Sequence, residues 1–229
     1  MPVHLRKEID RLNKLLLGVS TLVDEAVTAS VTAVEERNLE LARNVIANDV
    51  EIDLREIDVE EECLKILALY QPVAVDLRFI VAVLKINNDL ERIGDLAVNI
   101  AERAILLAPK EGIPLLIDFS GMVEKTLAML KTSLNALINI DPQLAHQVLA
   151  SDDDVDSLNR HNYDEIMTQV EKDPAHAKTL IHYLSISRFL ERVADHATNI
   201  AEDVIYLATG EIARHRPERL AQNRLDQKK

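Results

Sequence analysis

The sequence is poor in everything that breaks, staples or decorates a helix. Its 229 residues include five glycines, seven prolines, one cysteine and no tryptophan, and aromatic residues make up 3%. So few turn formers disfavour an all-β protein. The Gly-x-x-x-x-Gly-Lys loop that cradles nucleotide phosphates is absent. A lone cysteine, Cys63, excludes an intrachain disulfide framework and supplies too few thiolates for a metal cage. Its neighbours Glu60, Glu61 and Glu62 disfavour a thiolate, so it reads as packed and unreactive. Positive charge is also scarce: 26 Lys and Arg against 39 Asp and Glu give a net charge of −13. Nucleic-acid phosphates would repel such a chain. No apolar run approaches the roughly 18 residues of a spanning helix. Met1 to Glu8 lacks the apolar core of a signal peptide. A soluble, cytoplasmic protein is expected, in contact with a membrane only through partners.

What remains is hydrophobic residues at 48%, mostly Leu, Ile, Val and Ala, with abundant Glu between them. The prolines parse this material. Pro72, Pro109, Pro114, Pro142 and Pro174 separate six predicted helices, at about 4–36, 39–70, 73–108, 114–140, 142–172 and 174–209. In Asp141-Pro142 and Asp173-Pro174 the Asp suits an N-cap and the Pro a first helical residue, so each pair predicts a helix start. Gly210 predicts a C-terminal cap. Helices this long cannot bury an apolar face alone, so an all-α bundle is expected. The basic tail, 211–229, shows little apolar periodicity and is expected to be loosely ordered.

The third helix carries its core as two seven-residue series, Val83, Leu90, Ala97, Ala104 and Ile86, Ile93, Ile100, Leu107. The sixth repeats this with Tyr183, Leu190, Ala197, Val204 and Ile186, Val193, Ile200, Leu207. Such seams belong to helices packed nearly parallel or antiparallel. The match goes beyond period. Leu90–Glu102 and Leu190–Glu202 are identical at nine of 13 positions, at an offset of 100. The second and fifth helices align at an offset of 103, where Leu41, Ala42, Val45, Ala47, Asp49 and Asp53 meet Leu144, Ala145, Val148, Ala150, Asp152 and Asp156. A duplicated three-helix unit follows, residues 1–110 and 111–210.

Some of the shared residues are not core residues. With Leu90 and Ile93 buried, Glu91, Asp95, Asn99 and Glu102 fall on an outer face, as do Glu191, Asp195, Asn199 and Glu202. Residues four apart on a helix are neighbours. Glu91 with Asp95 and Asp49 with Asp53 therefore form two-carboxylate combs, repeated as Glu191 with Asp195 and Asp152 with Asp156. Like charges at this spacing repel, and facing combs repel more unless a cation bridges them. Clustered carboxylate oxygens suit Mg²⁺, Ca²⁺, Mn²⁺ or iron. Two metal sites, one per repeat, are one reading. Solvated surface acids neutralised by Arg92 and Arg192 are the other. The rotation of the second helix stays open, because Val45, Ile52, Val59 and Ile66 compete with the stripe Val50, Ile57 and Leu64.

Other metal and catalytic patterns are missing. No Glu precedes any histidine by three residues, as a di-iron carboxylate oxygenase would require. The acidic run Ser151–Asp156 lacks the glycine and terminal Glu of a calcium loop. His196 reads as a surface or half-buried histidine rather than a ligand. No nucleophile–base pair is suggested by spacing.

The two Leu-Glu-Arg-(Ile/Val)-(Gly/Ala)-Asp segments, together with Tyr70-Gln71-Pro72-Val73-Ala74-Val75-Asp76-Leu77-Arg78, resemble the PhoU family of bacterial phosphate-regulation proteins. The resemblance spans about residues 5–210 and implies two tandem three-helix bundles. It implies clusters of iron or zinc on paired Glu/Asp-x-x-x-Asp motifs, with Mg or Mn as other ions. Carried over, Asp49, Asp53, Glu91 and Asp95 would hold the first cluster and Asp152, Asp156, Glu191 and Asp195 the second, with Asn99, Glu102, Asn199 and Glu202 as neighbours. The Gln-Pro-x-Ala-x-Asp-Leu-Arg segment occurs once. Its counterpart, Asp173–Lys178, departs from the pattern, so the halves need not bind alike. The resemblance further implies a non-catalytic regulator between the ATPase of the phosphate ABC transporter and the sensor histidine kinase of the phosphate two-component system. Exposed helix faces also make a homodimer an expectation. A metal-dependent phosphohydrolase and a metal-free helical adaptor are the competing readings.

Overall fold

The computed structural model describes residues 3–108 and 117–210, with Val3 described for its backbone alone. Six α-helices follow one another: α1 Val3–Glu35, α2 Leu39–Tyr70, α3 Ala74–Leu107, α4 Phe119–Asn139, α5 Pro142–Lys172 and α6 Ala177–Thr209. Among the described residues there is no strand. The expected breaks at Pro109 and Pro114 and the tail at 211–229 lie outside the described residues.

Local chemistry sets most ends. Asn38 Oδ1 accepts the Leu41 N–H at 3.0 Å and starts α2. Asp141 Oδ1 accepts from Gln143 N–H at 2.8 Å and Leu144 N–H at 3.3 Å, with Pro142 in the first turn of α5. Gly210, at φ 75°, closes α6 through a bond from its N–H to the Tyr206 carbonyl. Two starts differ from the sequence expectation. Helix α4 begins at Phe119 rather than 114, because the Asp118 carboxylate accepts the Gly121 N–H at 2.9 Å. Glu35, ending α1, accepts the Ser120 N–H at 3.1 Å and its hydroxyl at 2.9 Å. Asp173 does not cap α6. Its carboxylate lies 2.6 Å from His176 Nδ1, Pro174–His176 form a 3-10 turn, and α6 starts at Ala177.

Helices α1–α3 pack on one another, as do α4–α6, giving two tandem three-helix bundles. The bundles join through α3 and α6, with a smaller contact of α1 on α4. Along this junction Arg78 Nε donates to the Leu207 carbonyl at 3.2 Å, Lys85 Nζ to Asp203 at 3.1 Å, and His196 Nδ1 lies 2.8 Å from Asp89. Numbers rise on α3 as they fall on α6, so the two helices are antiparallel. Both seven-residue series on each helix are buried. Helix α2 touches only α1 and α3 among the described elements, which makes it an outermost helix, as α5 is on the other side.

Helix α1 is long and apolar enough to cross a membrane by length and composition. This follows from overall composition and not from an uninterrupted apolar run. Only Asp24 and Glu25 break residues 15–34, and Gly, Ser and Thr there carry no charge. Leu12, Leu16, Val19, Val23 and Val27 of α1 are buried in the bundle core.

The rotation of α2 is resolved. Val45, Ile52, Val59 and Ile66 enter the core, while Val50, Ile57 and Leu64 face solvent. Ile52 is 3% exposed and Ile57 47%. Truncating Ile52 to Ala is therefore expected to cost about 2–5 kcal/mol, and truncating Ile57 to Ala less than about 0.5 kcal/mol. Urea unfolding of the two variants checks this, and equal losses would reverse the assigned rotation.

Candidate functional site

Helix α3 has three neighbours, α1, α2 and α6, and α6 has α3, α4 and α5. A helix enclosed on three sides keeps little free surface. The residues expected on an outer face consequently sit at the flank against helix two of each repeat. Glu91, Asp95, Glu191 and their partners Asp49, Asp152 and Asp156 are only partly exposed, while Asp53 and Asp195 are exposed.

In the first repeat Val45 and Ile52, buried on either side of Asp49, carry it to the edge of the core. A methyl group at Gly94 would lie 3.3 Å from Asp49 Oδ1 and 3.2 Å from Ile52 Cδ1, so glycine lets this carboxylate lie against α3. Burial, then the charges of Asp53 and Asp95, push the Asp49 carboxyl above its ordinary range. Burial and Asp95 push Glu91 up as well, opposed by Arg92 and reinforced by Asp53 and Glu56. The four expected acids of this repeat thus act on one another across the α2–α3 seam. Glu91 Oε2 is buried without a hydrogen bond, with Arg92 Nε at 3.4 Å. Arg92 also reaches Asp95 at 3.2 Å.

The second repeat builds the same arrangement between α5 and α6. Burial, then Asp156, Asp195 and Asp153, push Asp152 up to about 6. Glu191 is raised by burial, Asp195 and Asp156 against the opposing Arg188, with Asp152 adding a smaller push. Asp195 is raised by burial and Asp156, opposed by His196 and Arg192. Arg160 lies 3.4 Å from Asp156.

Among the described residues, no three His, Cys, Asp or Glu side chains stand gathered tightly enough to hold an ion. The donor set nonetheless fits one. It offers oxygen ligands on two facing helices, a buried carboxylate oxygen at Glu91 that accepts no hydrogen bond, and acids whose ionisation is opposed by their neighbours. A cation at either seam would remove that mutual repulsion.

Several residues stand differently from the sequence reading. Asn99 turns its Nδ2 to the Asp95 main-chain carbonyl at 2.8 Å, a bond within α3. Glu102 and Glu202 lie seven residues beyond Asp95 and Asp195, about 10 Å further along the helix, and Asn199 is half-buried on the same side. His196 is half-buried, in keeping with its sequence reading, and pairs with Asp89 across the junction of the bundles. Glu56 escaped the sequence reading. It joins the first cluster, accepts from Asn87 Nδ2 at 3.2 Å, and is raised by burial, Glu60 and Asp53. Its counterpart is Asn159, which accepts the Ser187 hydroxyl at 2.8 Å, so no duplicated motif marks it. Cys63 is buried, and burial with Glu62 and Glu60 pushes its thiol up to about 12, consistent with an inert packing residue.

Comparison with known proteins gives consistent matches. The model of the PhoU domain matches residues 16–104 and 119–204. A phosphate-specific transport system accessory protein PhoU homolog from Aquifex aeolicus is 42% identical over 213 residues, 93% of this chain and 96% of the relative. Homolog 1 of that accessory protein from Thermotoga maritima is 34% identical over 209 residues, 91% of this chain and 90% of the relative. The crystal structure of PhoU from Pseudomonas aeruginosa superposes with a TM-score of 0.84 at 35% identity, over 90% of this chain and 99% of that one. The phosphate transport system regulatory protein PhoU from Streptococcus pneumoniae superposes with a TM-score of 0.85 at 30% identity, over 91% and 99%.

The acids make a sharp statement about pH. Asp152 titrates near 6 when folded and in the ordinary carboxylate range when unfolded. The folded chain therefore holds that proton more tightly, and its stabilising effect is lost as pH rises through about 6. In chelator, Asp152→Asn is expected to raise the Tm near pH 7.5, with the gain shrinking through about pH 6 and vanishing near about pH 4. Thermal melts across this range decide it. An unchanged Tm at neutral pH would mean that the carboxylate is fully hydrated.

Proposed function

Because the chain belongs to the PhoU family over both halves, with 42% identity to one phosphate-specific transport system accessory protein homolog, we propose that it is a non-catalytic negative regulator of phosphate uptake and of phosphate-starvation signalling. The reading rests above all on a match that runs through more than nine-tenths of both chains. Its place is the cytoplasmic face of the membrane, reached through its partners. Those partners are the ATPase of a phosphate ABC transporter and the sensor histidine kinase of a phosphate two-component system. Residues 1–110 and 111–210 act as the two working units.

Each unit carries one metal site in this proposal. Asp49, Asp53, Glu91 and Asp95 hold the first ion or cluster, and Asp152, Asp156, Glu191 and Asp195 the second. Iron and zinc are favoured, with Mg and Mn as alternatives. A bound ion supplies positive charge where the acids repel one another. The side chains do the rest. The carboxylates clamp helix two of each repeat to helix three, and Arg92, which otherwise pairs with Glu91 and Asp95, is freed to reorient. A partner that binds one arrangement of these helices better than the other shifts its own signalling state by that difference in affinity. Homodimer formation would use an exposed helix face.

Deleting the gene is expected to leave a phosphate-starvation reporter on in high phosphate, with wild type restoring silence and Glu91→Ala/Asp95→Ala failing to. A reporter that stays off without the gene overturns the reading. Metal analysis tests the sites separately. Asp49→Asn/Asp53→Asn is expected to lose about half of the bound iron or zinc, and no metal in wild type under several loading conditions favours the adaptor.

A further inference from the structure

The duplication supplies its own control for reading the surface. Helices α2 and α5 share their inward residues, such as Ala42 with Ala145 and Val45 with Val148, all buried. Their outward faces differ. On α2, Val50, Leu54, Ile57 and Leu64 are exposed at 61, 53, 47 and 53%. The α5 residues at the same positions are Asp153, Ser157, Arg160 and Met167. The scaffold therefore needs no apolar strip to build an outermost helix, since α5 does so with a largely polar one. Val50, Ile57 and Leu64 recur every seven residues, with Leu54 four after Val50. They form one strip about 20 Å long, the seam of a helix that packs on another helix.

Charge says what that other helix is. By helix geometry Asp53 and Glu60 border the strip on the α3 side and Glu51 and Asp58 on the other, while Glu61 interrupts it. The nearby cations are engaged: Arg55 pairs with Glu51 at 2.8 Å and Asp58 at 3.8 Å, and Lys65 with Glu8 at 3.1 Å and Glu62 at 2.9 Å. Asp53, Glu60 and Glu61 are exposed. A second copy of this face would set acids against acids. A helix with apolar residues at the same spacing and Lys or Arg beside them meets both the strip and its borders.

We propose that the outer face of α2 is the docking surface for an amphipathic, basic helix of a partner protein, about four turns long. The inference rests on the regulator reading only in that such a protein works by contact with other proteins. It requires no ion.

The probe is a labelled synthetic peptide of about 18 residues, with Leu at the seam positions and Lys beside them, titrated with the full chain in chelator and followed by anisotropy. Binding is expected to weaken at least about tenfold in Leu54→Gln/Ile57→Gln. It is expected to change less than about twofold in Ser157→Gln/Arg160→Gln, at the matching positions of α5. A peptide of scrambled order is expected not to bind, and circular dichroism checks that the variants keep their helices. Three results overturn the proposal: binding that ignores Leu54→Gln/Ile57→Gln, a wild-type dimer in sedimentation that this variant dissolves, or binding that appears only once residues 211–229 are removed. The peptide assay contains no phosphate system, so its failure is separable from failure of the reporter test.

Discussion

The antiparallel contact between α3 and α6 governs the rest of the molecule. It joins the two bundles and leaves each central helix enclosed by three others. A helix in that position has core residues on most of its circumference, so a charged residue on it is forced to a seam. Glu91, Asp95, Glu191 and Asp195 occupy such seams, where water is partly excluded and the acids of helix two already stand. The upward displacement of Asp49, Glu91, Asp152, Glu191 and Asp195 follows from this placement before any ligand is considered. The architecture concentrates negative charge in two strips that a cation, an arginine or a proton can relieve.

The two strips have diverged in chemistry while keeping their acids. Gly94, which admits the Asp49 carboxylate, is matched by the buried Ala194. Glu56 bonded to Asn87 is matched by Asn159 bonded to Ser187, an acid–amide pair replaced by an amide–hydroxyl pair. The first seam therefore draws its additional carboxylate from Glu56, and the second from Asp153.

Much of this was readable from residues alone, and the exceptions have physical causes. The end of α2 followed from Pro72 and the start of α5 from Asp141-Pro142, because capping and the proline break are local interactions, whereas the Asn38 cap of α2 emerged only in the structure. Asp173 misled for the same reason: its carboxylate had a nearby competitor, His176, that the cap rule does not weigh. The seams of α3 and α6 were legible because a seven-residue repeat carries over directly to packing. The rotation of α2 was not, since apolar spacing reports only that a face is covered, and α2 has two such faces. The acids were found by their duplication, but a helical wheel knows one neighbour, whereas α3 has three, so a seam was read as an outer face. Glu56 left no trace because its copy is an amide.

The polar ladder between the bundles is confined to one set of positions. Arg78, Lys85 and Asp89 of α3 meet the Leu207 carbonyl, Asp203 and His196 of α6. The copies of these residues at an offset of 100 are Lys178, Ser185 and Phe189 on α6, and Leu107, Arg103 and Leu96 on α3. A tandem of two first halves would set Lys85 opposite Arg103 twice over, and Asp89 opposite Leu96. Such a molecule would meet repulsion where the natural one has attraction. The ancestral symmetry has been spent: each half now carries the complement that only the other can satisfy, and neither can stand in for its twin.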